Sequence, residues 1–496
     1  MTQELSRRSL LKNMGLGSAA LATAAVTSVA SAKSADGVTW TDTYEVVVVG
    51  AGGAGMAAAV KAAQTGAKKI VVLEKLAFAG GNTLLSQGFI NAADPVRQPK
   101  QGIKDSPENH MKQTLAAGDF RGDPERVRVL CENAYGAVTW LESLGMKFKD
   151  NVIQIFGALY PRSHVPALPK GQGYGTVLAK AAKDLGVEVK TGMDVVEIIR
   201  EGSFDGDVLG VQVKNSKGEV RYIRATRAVV LAAGGFGANT YLRELHDPRV
   251  KGLGTDNLPS MSGQVAMAAV RVGGYLVGMD FIQSTPGAPA GKKMKLLLNF
   301  NVNGSIYVDK RGNRIVNERR DVIRDAVLGT PERYAYTVCD NENFMSYDEV
   351  NRKAIHEGEK INEAWSAPTI RELAVKMGVD PDGLEATIKR YNGFVDAKKD
   401  DDFNKTAVNL TKKIEKGPFW ACYTGMTVHH TMGGLNTNTK AQCLDWTGAV
   451  IPRLYAAGEI TGGIHGTNRV GGNAVLDCFV FGQIAGENAA KEVVKG

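Results

Sequence analysis

Several features that would indicate other functions are missing from this sequence of 496 residues. Its 5 cysteines are widely scattered, and none forms a C-x-x-C or C-x-x-C-H motif. The sequence therefore has no signature of c-type haem attachment or of an iron–sulfur cluster, and it shows no one-electron relay of its own. We expect most of these cysteines to be buried for structural reasons.

Long apolar runs and blocks of a single charge are missing too. The net charge of +8 is not gathered into one basic block, so nucleic-acid binding is not indicated and a mildly basic surface is the simplest interpretation. No stretch is long and apolar enough to predict a transmembrane segment. The composition, 44% hydrophobic and 23% charged, is that of a globular protein with room for two or three domains.

The first 32 residues have the pattern of an export signal. The twin-arginine motif SRRSLLK at 6–12 precedes a weakly apolar stretch and a small-residue cleavage site, Ala30-Ser31-Ala32. Twin-arginine export moves folded proteins, which suits a protein that binds its cofactor before it is exported. We therefore predict a signal peptide at 1–32, the twin-arginine export machinery as a partner and the periplasm as the destination.

The stretch from Tyr44 to Glu74 reads strand, glycine-rich loop, helix, strand and acidic residue. Its loop, GAGGAG, is a G-x-G-x-x-G motif with glycines at 50, 52 and 55. We expect Gly50 to make the tight turn, Gly52 to let a pyrophosphate approach, and Gly55 to let the helix pack on the sheet. The helix N-terminus offers N–H groups to phosphate, and Glu74 is placed to bind ribose hydroxyls. Together these features predict a dinucleotide site.

Later segments extend this unit into a larger fold. The run at 228–235 is predicted as a buried strand with a glycine end, which is common in two-dinucleotide folds that bind FAD. Charge increases between 279 and 430, where a hairpin turning at 310–313 is also predicted. We predict an α/β, Rossmann-like FAD-binding domain at 33–278 and 431–496, with an inserted α+β capping domain at 279–430.

Two further segments carry a specific resemblance. HHTMGGLNTNTKAQ begins at His429, and LYAAGEITGGIHGTNRVGGNAVLDCFVFGQIAG begins at Leu454. With GAGGAG, LEK and GGNT, they make the chain resemble the soluble fumarate reductase (flavocytochrome c) flavoprotein family over nearly everything after the first 32 residues. The resemblance implies an FAD domain, a mobile capping domain and a substrate between them. No histidine-containing segment replaces GGNT, so non-covalent FAD is expected.

The resemblance places the FAD contacts around the opening motif and the later glycine-ended segments. No metal site is predicted. The predicted cofactor-binding residues are Gly50, Ala51, Gly52, Gly53, Ala54, Gly55, Glu74, Lys75, Gly81, Asn82, Thr83, Gly88, Val195, Ala233, Gly234, Glu459, Ala474 and Val475.

The resemblance also implies a substrate site. His430, in HTMGG, matches the histidine that binds the substrate carboxylate, and Arg469, in HGTNRVGGNA, matches the clamping arginine, with Gly472 nearby. In this chemistry hydride passes from N5 of the reduced flavin to the β-carbon of an activated alkene. Groups aimed at the activating carboxylate stabilise the negative charge that develops there.

A donor on the opposite face must then protonate the α-carbon. The resemblance gives this role to Arg320 in NERRD, with Arg319 and Arg324 as alternatives. The assignment rests on the resemblance alone, because an arginine, with a pKa above about 12, is a poor acid.

Two segments depart from the family pattern. Thr285 stands where fumarate reductases have a histidine for the second carboxylate, and 298–304 lacks the Glu and Arg of the family's proton relay. We therefore expect an unsaturated monocarboxylate, such as an aromatic or heteroaromatic acrylate, rather than fumarate. The expected electron donor is a separate periplasmic c-type cytochrome, in anaerobic respiration.

The main prediction is an exported FAD-dependent reductase acting on the C=C bond of an α,β-unsaturated carboxylate. Two alternatives stay open. An FAD-dependent dehydrogenase that desaturates a ketosteroid or carboxylic acid would keep the fold and reverse the chemistry. A flavin electron carrier would turn over no small molecule, and the set of Arg320, Arg469 and His430 speaks against it.

Overall fold

A computed structural model describes residues 37–155, 157–298, 303–318 and 323–495. The predicted signal peptide lies outside these ranges, as do Arg319, Arg320 and the centre of the 298–304 segment. No helix within the ranges is long and apolar enough to cross a membrane. Nor do they contain a group of three or more His, Cys, Asp or Glu residues that could hold a metal ion.

The strands form two large sheets and two short pairs. In chain order the strands are β1 (Asp42–Val49), β2 (Ile70–Leu73), β3 (Ile90–Asn91), β4 (Ser163–His164), β5 (Glu188–Lys190), β6 (Met193–Arg200), β7 (Val208–Asn215), β8 (Val220–Leu231), β9 (Gly254–Thr255), β10 (Leu276–Val277), β11 (Ile282–Gly287), β12 (Ser305–Val308), β13 (Ala335–Cys339), β14 (Ala364–Ala367), β15 (Phe419–Thr431), β16 (Gly434–Leu435), β17 (Gln442–Leu444) and β18 (Val450–Ala456).

The helices cover the faces of these sheets and the segments between them. The α-helices are α1 (Gly53–Thr65), α2 (Gly81–Leu85), α3 (Arg97–Lys100), α4 (Pro107–Ala117), α5 (Pro124–Glu132), α6 (Ala134–Ser143), α7 (Gln172–Asp184), α8 (Thr240–His246), α9 (Gln264–Arg271), α10 (Ile323–Leu328), α11 (Asn341–Met345), α12 (Glu349–Lys360), α13 (Ile370–Met377), α14 (Pro381–Ala397) and α15 (Asn473–Lys491). Short 3-10 helices span Pro248–Val250 and Ala407–Asn409.

The eight-stranded sheet contains the predicted dinucleotide unit. Its main order is β17-β18-β8-β1-β2-β5, with β6 and β7 joined through β8. Strand β1 runs parallel to β2 and β8, and β8 runs parallel to β18. Val46, Val47 and Val48 are fully buried, as expected for β-branched residues in a parallel sheet with both faces covered. This arrangement confirms the predicted α/β class.

Helices α1 and α15 approach each other closely above this sheet. A Cβ added at Gly482 of α15 would lie 2.7 Å from the Ala54 carbonyl oxygen, and one at Gly486 would lie 2.1 Å from that of Ala58. Glycine in α15 and alanine in α1 therefore let the two backbones meet. The contact fixes the N-terminus of α15 beside the glycine-rich loop.

The six-stranded sheet is centred on β15. Strands β11, β13 and β14 run antiparallel to β15, β9 runs parallel to it, and β12 joins through β13. All these strands except β9 fall between 282 and 431, close to the predicted insertion. The domain boundaries themselves stay a prediction. Strand β15 ends at Thr431, so its last residues return the chain to the eight-stranded sheet.

The run predicted as a strand at 228–235 belongs to a longer strand, since β8 is continuous from Val220 to Leu231. The hairpin predicted to turn at 310–313 is present but short. The Asp309 N–H donates to the Asn313 carbonyl at 3.0 Å and Val308 makes an antiparallel bridge with Arg314, whereas β12 as a whole pairs with β13. The segment at 400–413 contains a buried lysine, Lys405, which is held by Glu318 at 2.9 Å.

Candidate active site

A cleft of about 910 Å³, including its solvent-open part, lies at the carboxyl ends of the parallel strands. Its walls include the residues that directly follow β1, β2, β8 and β18, which are Gly50, Glu74, Ala232 and Ala457. Open α/β sheets bind ligands at this edge. The position agrees with the predicted dinucleotide site.

The three glycines of the loop have different surroundings. Gly50 has a φ of 101°, and a Cβ there would lie 2.4 Å from the Ala232 carbonyl oxygen. A Cβ on Gly55 would lie 1.9 Å from the Gly50 carbonyl oxygen. At Gly52, by contrast, a Cβ would meet no described atom within 4 Å. Gly50 and Gly55 are thus required by the protein's own packing, whereas Gly52 keeps space open on the cleft side, as a bound pyrophosphate requires.

Side chains fasten the loop to its surroundings. The Glu74 carboxylate accepts the backbone N–H of Ala51 at 2.9 Å and that of Leu76 at 2.8 Å. The Thr83 hydroxyl accepts the N–H of Gly53 at 3.0 Å. These bonds hold the first turn of α1 with its remaining N–H groups at the cleft. Such a helix N-terminus suits a phosphate.

Most of the predicted cofactor residues line this cleft. Those that do so are Gly50, Gly52, Gly53, Ala54, Glu74, Lys75, Gly81, Asn82, Thr83, Val195, Ala233, Gly234 and Glu459. The predicted residues that are not among its walls are Ala51, Gly55, Gly88, Ala474 and Val475. Gly88 packs elsewhere, since its carbonyl accepts the Tyr174 hydroxyl at 2.6 Å and a Cβ there would lie 2.5 Å from Lys170 O.

A polar bridge that was not predicted crosses one end of the cleft. Lys75 Nζ lies 3.0 Å from Gln264 Oε1 and 3.2 Å from Asp194 Oδ2. The three residues come from the end of β2, the start of α9 and the start of β6. All three residues line the cleft, as Val195 and Glu74 do.

His430 is placed by a bulge between β11 and β15. Gln283 pairs with His430 and Ser284 pairs with Val428, which leaves His429 as the extra residue. A bulge of this kind re-aims the side chains beside it. The His430 side chain is 9% exposed, and its Nδ1 lies 3.6 Å from Glu459 Oε1. His430 therefore belongs to β15 of the six-stranded sheet and lies beside Glu459 in the cleft wall.

Arg469 lies beside this histidine, in the loop that leads to α15. Its Nη2 donates to Gln283 Oε1 at 2.7 Å and its Nη1 donates to the Val470 carbonyl at 3.0 Å. Its Nε is buried and has no hydrogen-bond partner in the described part of the chain. Gln283 in turn donates to the Arg469 carbonyl at 2.9 Å, so the two residues hold each other.

Three groups of the site have shifted pKa values, and one of them, Arg469, remains a cation. Burial lowers the pKa of Arg469 to about 10, which keeps its guanidinium charged at neutral pH. Burial and the charge of Arg469 hold the pKa of His430 well below its usual range, so this imidazole is neutral. Burial raises the pKa of Glu459 to about 7, although its carboxylate accepts the backbone N–H of Thr431 at 3.0 Å.

The other predicted substrate residues have mixed positions. Thr285 lies on β11, half-buried and paired with Thr427, two residues beyond Gln283. Gly472 caps α15 with a φ of 89°. Arg324 donates to the Ile282 carbonyl at 2.9 Å, which ties it to the strand. Arg320 lies outside the described residues.

Several residues near the site were missed from the sequence. Gln283 lies in the same short segment as Thr285, but an uncharged side chain gave no signal. At the outer edge, Asp256 lies 2.9 Å from Lys295 and 3.4 Å from His429. Lys295 and His429 are distant in sequence from Asp256, so no local pattern joined them.

Comparisons with known proteins agree with this geometry. The sequence profile of a family described as an FAD binding domain matches residues 45–475. The chain is 36% identical to the urocanate reductase of Eggerthella lenta, over 91% of this chain and 75% of that protein. It is 30% identical to the acrylate reductase flavoprotein subunit of Shewanella woodyi, over 97% of both. The open conformation of a flavocytochrome c3 fumarate reductase matches with a TM-score of 0.75 and 31% identity, over 99% of this chain and 81% of that one.

Proposed function

This chain belongs to the fumarate reductase family of FAD-binding flavoproteins, FAD-dependent oxidoreductases that act on C=C bonds, and we propose that it reduces an α,β-unsaturated monocarboxylate of acrylate type. FAD, held without a covalent bond, is its cofactor. Fumarate, which has two carboxylates, is the less favoured substrate.

The observation that carries the proposal is the state of Arg469. Its guanidinium is charged, its Nε is buried without a hydrogen-bond partner among the described residues, and its hydrogen bonds go to an amide and a backbone carbonyl. A buried cation is strongly favoured to have an anionic partner. A substrate carboxylate would supply that partner and would also meet the neutral ring of His430.

The same residues suit the charge that develops during reduction. Bound FAD supplies the hydride. Arg469 places a fixed positive charge, and His430 a hydrogen-bonding ring, where the substrate carboxylate would lie, so that negative charge growing toward that carboxylate is stabilised. Gln283 keeps the guanidinium in place during the step, because it contacts both the side chain and the backbone of Arg469.

FAD is proposed to lie in the cleft already described. Gly50, Gly52 and Gly53 would face its pyrophosphate together with the first N–H groups of α1, and Glu74 would face a ribose. Glu459 borders both the cleft and His430. It would therefore stand between the cofactor and the substrate.

The proton donor is proposed to be Arg320, as the resemblance implies. Arg324 is a weaker candidate, because its guanidinium binds the Ile282 carbonyl and lies 3.8 Å from Asp247. Arg324→Ala therefore serves as the matched control for Arg320→Ala. We expect Arg324→Ala to keep turnover and Arg320→Ala to lose it.

The proposed substrate class depends on the position where fumarate reductases have a histidine for a second substrate carboxylate. Thr285 carries no charge and lies on the same strand as Gln283, whose amide is committed to Arg469. One charged clamp therefore remains, which suits a monocarboxylate with an apolar or aromatic remainder. A ketosteroid, one of the two substrate classes of the dehydrogenase alternative, would bring no negative charge to Arg469, whereas a saturated carboxylic acid would.

Export to the periplasm and electron supply by a separate c-type cytochrome are also proposed. The twin-arginine motif supports the first, and the likeness to a flavocytochrome supports the second. The enzyme would then serve as a terminal reductase in anaerobic respiration.

The test is an anaerobic reoxidation experiment. The FAD-loaded protein is reduced with a viologen dye and mixed with fumarate, acrylate, methacrylate, crotonate, urocanate or a cinnamate-type acid. We expect one of the monocarboxylates to reoxidise the flavin fastest. Fumarate as the best oxidant would contradict the substrate class, and no reoxidation by any acid would favour a dehydrogenase or an electron carrier.

A further inference from the structure

A second buried cluster lies next to His430. His465 is in the loop before α15 and Asp477 is in the second turn of α15; their side chains are 4% and 3% exposed. His465 Nε2 lies 3.5 Å from Asp477 Oδ2, which is within ion-pair distance but is not a hydrogen bond in the described residues. The ring of His465 meets that of His430 edge to face, with centroids 5.8 Å apart and planes at 70°.

This cluster contains an unusual number of unpaired polar atoms. Both ring nitrogens of His465, Oδ1 of Asp477 and Nε of Arg126 are buried and have no hydrogen-bond partner in the described ranges. Such atoms cost stability and are uncommon in folded proteins. Four of them in one place indicate a cluster whose purpose is not stability.

Arg126 ties the cluster to the loop that carries Arg469. Its Nη1 donates to the Gly462 carbonyl at 2.7 Å and lies 3.2 Å from the Thr437 hydroxyl. A Cβ on Gly463 would lie 2.2 Å from Arg126 Nη2, so the loop can approach only with glycine there. The chain then runs from this anchored point through His465 to Arg469.

We propose that Asp477 and His465 are a positioning pair for His430. A carboxylate beside one imidazole nitrogen fixes which nitrogen carries the proton and how the ring is oriented. With Nε2–H of His465 directed at Asp477, the ring of His465 presents one fixed edge to His430. That contact holds the His430 ring where it meets the substrate carboxylate beside Arg469. The inference rests on the proposed function for the identity of that substrate.

A second buried pair in the same chain provides a matched control. His164 Nε2 lies 2.9 Å from Asp94 Oδ2, and both side chains are fully buried. Asp94 also accepts the N–H groups of Val96 and Arg97 and binds the Arg97 guanidinium at 3.0 Å. This pair is fully hydrogen-bonded and touches neither His430 nor Arg469 in the described contacts. Its role is structural.

The experiment compares Asp477→Asn with Asp94→Asn in the FAD-loaded enzyme. For Asp477→Asn we expect kcat to fall on the order of tenfold, the size typical of a lost supporting contact to an active-site histidine. KM should change less than about twofold, because Arg469 still binds the acid. Asp94→Asn should lower the unfolding temperature and leave kcat of the folded enzyme unchanged.

A double-mutant cycle with His430→Gln separates positioning from a general structural effect. If Asp477 acts through His430, Asp477→Asn should have almost no further effect on kcat in the His430→Gln enzyme. Equal losses in both backgrounds would overturn the proposal, and so would an unchanged kcat in the single variant.

A folding failure is also decisive. If Asp477→Asn gives no holoenzyme, His465→Gln is measured in the same cycle with the same expectations, and failure of both to fold would overturn the proposal in favour of a structural role. A wild-type enzyme that turns over no unsaturated acid would instead contradict the proposed function.

Discussion

The cleft at the carboxyl ends of the parallel strands and the pocket around Arg469 share Glu459 but are built in different ways. The lining of the cleft includes many glycines and alanines, which lie at the ends of neighbouring strands and at the start of α1. The pocket is formed by side chains from β11, β15, the segment after β18 and the loop before α15. Under the proposed function, the first site would accept the shared dinucleotide cofactor, whereas the side chains of the second would select the substrate.

The largest expected effect separates two glycines of the GAGGAG loop. Gly55→Ala should prevent stable folding, because its Cβ would overlap the Gly50 carbonyl oxygen at 1.9 Å. Gly52→Ala should fold, because no described atom lies within 4 Å of its Cβ, yet it should bind FAD much more weakly. Unfolding temperature and flavin content of both variants check this. Equal stability of the two variants would contradict the assigned roles.

The second prediction concerns the pocket alone. Arg469→Met should lower kcat/KM for the unsaturated acid by about a thousandfold, the upper size of losses seen on removing one group that stabilises developing charge. Flavin content should remain normal, because the cleft does not include Arg469. Arg390→Met, which removes an exposed arginine paired with Asp402, is the control. A loss of flavin in the Arg469 variant would mean that the two sites are not separable.

The third prediction concerns Glu459, the residue that both sites share. Its pKa is raised from 4.5 to about 7, so the folded protein holds this proton while the unfolded chain releases it. In flavin-free protein, the free energy of unfolding should therefore fall between pH 4.5 and 7, by about 3 kcal/mol at about 1.4 kcal/mol per pKa unit. Above pH 7 both states are ionised and this contribution stays lost.

Glu459→Gln should remove that part of the pH dependence. Urea unfolding of both proteins at several pH values gives the comparison. Identical slopes between pH 4.5 and 7 would show that Glu459 is not protonated in the folded state.

The smallest expected effect is that of Gln283→Met. Removing the amide frees Arg469 Nη2 but leaves its charge, so kcat/KM should fall about tenfold, the factor that corresponds to one hydrogen bond of about 1.4 kcal/mol. Gln172→Met, on an exposed position at the start of α7, is the control. An unchanged kcat/KM would mean that Gln283 does not hold the guanidinium.

The difference between the two sites also explains what the sequence could predict. The order of strand, GAGGAG, helix and Glu74 is contiguous, and each glycine has a local reason, so the cleft and the α/β class were predictable. His430 and Arg469 came from the resemblance. Gln283, His465 and Asp477 were missed, because their contacts join segments far apart in sequence. Strand β8 is longer than the run predicted at 228–235, because its first half mixes polar and apolar residues where it pairs with β7.

The most direct test of the account compares an unsaturated acid with its primary amide. The two have nearly the same shape, but only the acid brings a negative charge to Arg469. Anaerobic stopped-flow reoxidation of the reduced enzyme is measured with each compound, in wild type and in Arg469→Met. We predict that the acid reoxidises the wild-type flavin far faster than the amide does, and that the advantage disappears in the variant. Equal rates with acid and amide in the wild type would contradict the claim that Arg469 binds a substrate carboxylate.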